Sequence, residues 1–119
     1  MSIDEVIKTL DENDEVMESY VLLREMKLYL DVGYDNFHPC IKVNIYKSSS
    51  LGGAPYHFEV SHYAHTPEQA TPYHPSRTSA ESESEAIRQA ISTTTSYIKS
   101  AIRAGHEPSD QWLVPNDRF

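Results

Sequence analysis

The chain has 119 residues, a hydrophobic fraction of 39%, a charged fraction of 24% and a formal net charge of −8. That length supports one domain with a single modest core, and that charge argues against a nucleic-acid footprint or an anionic membrane surface. The lone cysteine, Cys40, excludes an intrachain disulfide and points to a reducing compartment.

The first 23 residues are expected to form a helical segment. Ser2 can cap a helix, with Glu5 at capping-box spacing, and Ile3, Val6, Ile7 and Leu10 line one face. This acidic opening lacks the apolar stretch of a secretory leader, and no apolar run approaches the ~20 residues of a membrane span, so a cytoplasmic location is expected. The polar run Asp11 to Glu15 interrupts the helix, and residues 16–23 fit a helix or a strand equally well.

From Glu25 the period changes to two. Met26, Leu28, Leu30 and Val32 share one side, while Lys27, Tyr29 and Asp31 share the other. Gly33 to Pro39 reads as a turn, after which Ile41, Val43 and Ile45 alternate with Lys42, Asn44 and Tyr46. Ser48 to Pro55 is a serine- and glycine-rich connection. A third run sets Tyr56, Phe58, Val60 and His62 against His57, Glu59, Ser61 and Tyr63. These runs predict an antiparallel meander over residues 24–64.

Residues 65–79 form a long loop, and residues 80–105 an amphipathic helix. Ser82 is placed to cap that helix, with Glu85 at capping-box spacing. Ile87, Ile91, Ile98 and Ile102 form its core stripe, and Ala86, Ala90, Ala101 and Ala104 widen the face. Gly105 is placed for a left-handed cap, and Pro108 forbids continuation. The tail, 106–119, carries Trp112-Leu113-Val114 and should dock on the body or on a neighbouring subunit. The expected fold is a single α+β domain over residues 1–119. It is a two-layer sandwich in which a three-stranded or slightly larger antiparallel meander packs on the long C-terminal helix, in the order α-β-β-β-α.

Double-stranded-RNA-binding domains share that order of elements. They set basic residues at the start of their last helix, however, where this chain reads Glu81-Ser82-Glu83-Ser84-Glu85. Topology alone carries no function, and no nucleic-acid partner is expected.

The 65–79 loop is longer than most connections in compact domains, and its prolines favour a fixed shape. Tyr73, His74, Ser76, Arg77, Thr78 and Ser79 combine a stacking ring, an imidazole, a guanidinium and hydroxyls. Such groups hold an anionic planar ligand, and the following helix N-terminus offers backbone N–H groups. Glu81, Glu83 and Glu85 oppose that potential, and a plain structural crossover with Arg77 paired to a glutamate is the competing reading. Tyr29, Tyr46 and Tyr63 are expected on the uncovered sheet face, as a homo-oligomer interface, a partner-binding platform or an ordinary solvated surface, and Trp112 of the tail is a further interface candidate. No metal site, cofactor or catalytic constellation is legible: Cys40 lacks a partner at ligand spacing, and His74 with Ser76 lacks an orienting third residue. The leading expectation is a non-enzymatic, homo-oligomeric protein that binds or sequesters a small anionic, nucleotide-like ligand. The alternative is an acidic protein–protein inhibitor or adaptor, of the compact sort viruses use against host proteins, acting through its glutamate clusters.

Overall fold

A computed structural model of the chain describes residues 1–49 and 53–119. Part of the predicted serine-glycine connection, residues 50–52, therefore lies outside the described residues. Helix α1 spans Ile3–Asp11, and Ser2 caps it by accepting a 3.1 Å hydrogen bond from the Glu5 N–H. Only Ile7 of this helix is fully buried, and a 2.7 Å bond from Lys47 Nζ to Asp4 Oδ1 ties it to the sheet. The expected helical segment of 23 residues is cut short at Asp11. Asn13 then accepts from the Glu15 N–H in a side-chain turn, which competes with helix continuation.

Strand β1 (Tyr20–Tyr29), β2 (Cys40–Ser48) and β3 (Tyr56–Val60) form the predicted antiparallel meander. Residues 20–23, ambiguous in sequence, belong to β1. A register shift between Leu22 and Arg24 leaves Leu23 as an extra residue, so one alternation pattern does not run the length of the strand. The sheet also has a fourth strand, β5 (Ser79–Ala80), at its far edge, in the order β1-β2-β3-β5. The loop thus surrenders Ser79 to a strand too short to be read from its own residues.

The third predicted run is broken. Ser61 is buried, and its Oγ accepts from the Lys42 N–H at 2.8 Å while its own N–H donates to the Lys42 carbonyl at 2.9 Å. Beyond this bend β4 (His62–Ala64) leaves the main sheet and pairs with β6 (Leu113–Pro115) in a second, two-stranded sheet. Tyr63 therefore does not share a sheet with Tyr29 and Tyr46.

Helix α2 spans Glu83–Arg103, three residues later than expected at its start, with Ser82 accepting from the Glu85 N–H. Its C-terminus closes as a Schellman motif. Gly105 adopts φ +95°, its N–H donates to the Ile102 carbonyl, and the His106 N–H donates to the Ala101 carbonyl. The buried line of α2 runs through Ala86, Ala90, Thr94, Ile98 and Ala101, and Ile87, Ile91 and Ile102 flank it half-buried. Of the predicted isoleucine stripe only Ile98 is central. The sheet already presents Ile41, Val43, Ile45, Phe58 and Val60 to the helix, so close packing selects small residues where the two layers meet. Trp112, in a single 3₁₀ turn (Asp110–Trp112), is 5% exposed within this same core, so the tail docks on the body of its own chain.

Candidate functional site

The loop acquires its shape from a few polar contacts. The His65 N–H donates to the Trp112 carbonyl at 2.7 Å, and the Gln69 N–H closes a turn on the Thr66 carbonyl. Gln69 then acts as a staple. Its Oε1 accepts from the buried Thr66 N–H at 2.8 Å, and its Nε2 donates to the Ala64 carbonyl at 3.1 Å. The same Ala64 carbonyl accepts from the Tyr73 N–H at 2.9 Å, and this turns residues 73–78 across the molecule. The loop ends where the Thr78 carbonyl accepts from Phe58 N–H, ahead of β5.

The segment so held walls two grooves. Tyr73, Ser76 and Arg77 face the outer side of α2 across a cleft of about 320 Å³, opposite Gln89, Ser92, Thr93, Ser96 and Tyr97. The rings of Tyr73 and Tyr97 lie 4.7 Å apart at a 37° tilt, close enough to reinforce one another as a stacking surface. On the other side, His74 and Thr78 line a groove of about 210 Å³ with Tyr63, Asn116 and Arg118, and the His74 ring lies 4.2 Å from that of Tyr63. Pro75 stands between them and borders both. The structure therefore unites Tyr73, Ser76 and Arg77, sends His74 and Thr78 elsewhere, and places Ser79 opposite His57 in the sheet. His74 and Ser76 line different grooves, so the base–nucleophile pair weighed from sequence does not form. The cleft follows the middle of α2, not its N-terminus.

Two of the three glutamates expected to neutralise the loop are engaged elsewhere, while Glu81 belongs to no ion pair among the described residues. Glu83 Oε1 accepts from Arg24 Nε at 2.9 Å. Glu85 Oε2 accepts from Arg88 at 2.7 Å, which holds the Glu85 carboxyl below its ordinary pKa. Among the described residues no carboxylate lies within ion-pair distance of Arg77. The helix residues of the cleft had no sequence signal pointing to them beyond their polarity on the face opposite the alanine line. Gln89, Ser92, Thr93 and Ser96 read as an ordinary solvated surface until the loop crosses them.

The open face of the sheet holds a second polar cluster that the sequence did not reveal. His57 Nε2 and Ser48 Oγ are 3.0 Å apart, and Tyr20 meets the His57 ring edge-on at 5.2 Å. Burial pushes the His57 pKa below its ordinary 6.5, opposed by Glu18, which also accepts from the Tyr20 hydroxyl. Ser48 Oγ is also 3.3 Å from the Pro55 carbonyl, and no acidic group holds the other imidazole nitrogen among the described residues, so the pair lacks the orienting partner of a nucleophile–base couple. Among the described residues no three His, Cys, Asp or Glu side chains gather as a metal site, and no helix is long and apolar enough to cross a membrane. Of the tyrosines expected on this face, Tyr29 is exposed and Tyr46 half-buried, with the Tyr46 hydroxyl held above its ordinary pKa by hydrogen bonding to Glu59.

Comparison with protein-family models, with characterised proteins and with solved structures returns no match to this chain.

Proposed function

We propose that the chain is a non-enzymatic, homo-oligomeric binding protein that captures a small anionic, nucleotide-like ligand in the cleft between residues 73–77 and α2. The observation carrying this reading is Arg77, an exposed guanidinium beside that cleft without a carboxylate partner among the described residues. Glu83 and Glu85 serve Arg24 and Arg88, and Arg77 pairs with neither these nor Glu81, which leaves it available to an outside anion. Tyr73 and Tyr97 supply a stacking surface for a planar ring. The hydroxyls of Ser76, Ser92, Thr93 and Ser96 and the Gln89 amide match the donors and acceptors of a sugar and its phosphate. A single cation and a cleft near the lower end of ligand-site volumes favour a ligand with one phosphate over a polyphosphate.

A thermal-shift screen with mononucleotides, cyclic dinucleotides and ADP-ribose derivatives tests this. A ligand at a hundred times its dissociation constant stabilises the fold by ~2.7 kcal/mol. Arg77→Ala removes a charge-assisted contact of ~1.5–3 kcal/mol and should weaken binding roughly 10- to 100-fold. No stabilisation by any of these compounds, or an unaltered shift in the variant, refutes the pocket. The acidic-adaptor alternative draws less support, because two carboxylates of its proposed surface, Glu83 and Glu85, already bind arginines of the same chain.

A further inference from the structure

The ten-residue strand β1 stands at one edge of the main sheet, and among the described residues its outer side has no neighbouring strand. Long edge strands are usually guarded by bulges and charges, since their free backbone groups invite pairing. β1 has a bulge at Leu23, but from Arg24 onward its register with β2 is unbroken through Tyr29. The Leu30 N–H donates to the Pro39 carbonyl, continuing that register, so the backbone groups of Leu30, Leu28, Met26 and Arg24 turn toward β2. Those of Glu25, Lys27 and Tyr29 turn outward. Both charged residues are exposed, and neither belongs to an ion pair among the described residues.

We propose that two copies of the chain associate by antiparallel pairing of their β1 strands about a two-fold axis at Met26, joining two four-stranded sheets into one. The charge pattern selects this register. With Met26 at the axis, Glu25 stands directly opposite Lys27 of the second copy, and Lys27 opposite its Glu25, and both pairs exchange the outward-facing backbone hydrogen bonds. Moving the axis one residue either way sets Glu25 against Glu25 or Lys27 against Lys27, which is unfavourable for directly opposed side chains. On the helix-covered face the half-buried Met26 meets Met26 of the second copy, and the half-buried Leu28 meets the stem of its Arg24. On the open face Tyr29, 68% exposed, reaches the partner's bulge next to Leu22, itself 46% exposed. The bulge thus bounds the paired segment instead of preventing pairing. This deepens only the homo-oligomer part of the proposed function and does not rest on the ligand cleft.

Size-exclusion chromatography with light scattering, on the full chain, tests the proposal. The native protein should be a dimer. Lys27→Glu should make it a monomer by opposing two pairs of carboxylates, and the swap Glu25→Lys with Lys27→Glu should restore the dimer. In a Cys40→Ser background, Met26→Cys should form an intermolecular disulfide on oxidation, because directly opposed residues of a non-hydrogen-bonded pair lie ~4.5 Å apart at Cα. Leu28→Cys in the same background, two residues from the axis, should not. A native monomer at all concentrations overturns this inference together with the homo-oligomer reading. An oligomer indifferent to Lys27→Glu and not cross-linked through Met26→Cys overturns the β1 pairing alone. Ligand-induced stabilisation, which involves none of these residues, reports on the cleft separately.

Discussion

Gln69 is the residue whose removal should most directly unmake the cleft. Thr66 is 2% exposed, and its N–H is satisfied by Gln69 Oε1 at 2.8 Å. Gln69→Leu preserves much of the bulk but leaves that donor buried and unpaired, at a cost of ~1–3 kcal/mol. It also removes the Nε2 bond to the Ala64 carbonyl, a further ~0.5–1.5 kcal/mol. The 3.5 Å contact to the Thr71 carbonyl is too long to add much. Together these give about 2–4 kcal/mol, or a fall in melting temperature of roughly 6–20 °C for a chain this size. Because a loop can open without the sheet, amide exchange is the decisive readout. The amides of Thr66 and Tyr73 should lose protection while those of β2 keep most of theirs. Gln69→Glu keeps the acceptor for Thr66 and loses the donor to Ala64, so it should cost less and leave the Thr66 amide protected. If Gln69→Leu melts within a degree or two of the native chain with the Thr66 amide still protected, the staple does not hold the loop.

Two further outcomes follow from the packing and the histidine cluster. Trp112→Ala should destabilise the fold by ~3–5 kcal/mol in urea unfolding, the usual range for a buried aromatic; a loss below ~1 kcal/mol would mean the tail is dispensable to the core. The His57 imidazole is pushed below its ordinary 6.5 by burial, so the unfolded chain binds the proton more tightly. This contribution is fully present above the unfolded value and is lost as pH falls through 6.5 toward the lower folded value. Urea midpoints should therefore drop between pH 8 and pH 5, and His57→Gln should flatten that drop; an equal pH dependence in the variant would show that other groups cause it.

The uneven legibility of the chain has a physical origin. Features whose cause lies within a few residues were readable: the Ser2 and Ser82 caps, the Gly105 terminus, and the alternation of β2, where Ile41, Val43 and Ile45 are all buried. Features whose cause lies far along the chain were not. Nothing local in Ser79-Ala80 announces a strand, since it exists only through pairing with β3. Ser61 looks like any alternating position until its Oγ and its N–H both bond the Lys42 backbone, and that bend moves Tyr63 into another sheet. The tail reads as apolar enough to dock, but its burial in this chain's own core depends on the β4–β6 pairing.

The candidate site divides along the same line. Tyr73, Ser76 and Arg77 stood out because a long, proline-rich loop bearing a ring, a hydroxyl and a guanidinium has little to do with building a core. The helix residues opposite them could not stand out, because a polar helix face carries the same side chains whether water or a loop covers it. Whether Arg77 pairs with the neighbouring glutamates was likewise invisible in the sequence, which sets them close in number. Sequence alone determined the α+β class, the caps of both helices and the segment carrying the unusual chemistry, because backbone preference and hydrophobic period are local quantities. Only the tertiary structure decided that Arg24, arriving from β1, takes Glu83, that Arg88 takes Glu85, and that Arg77 is left beside a cleft; ion pairing depends on distance in space, which the chain's numbering does not carry.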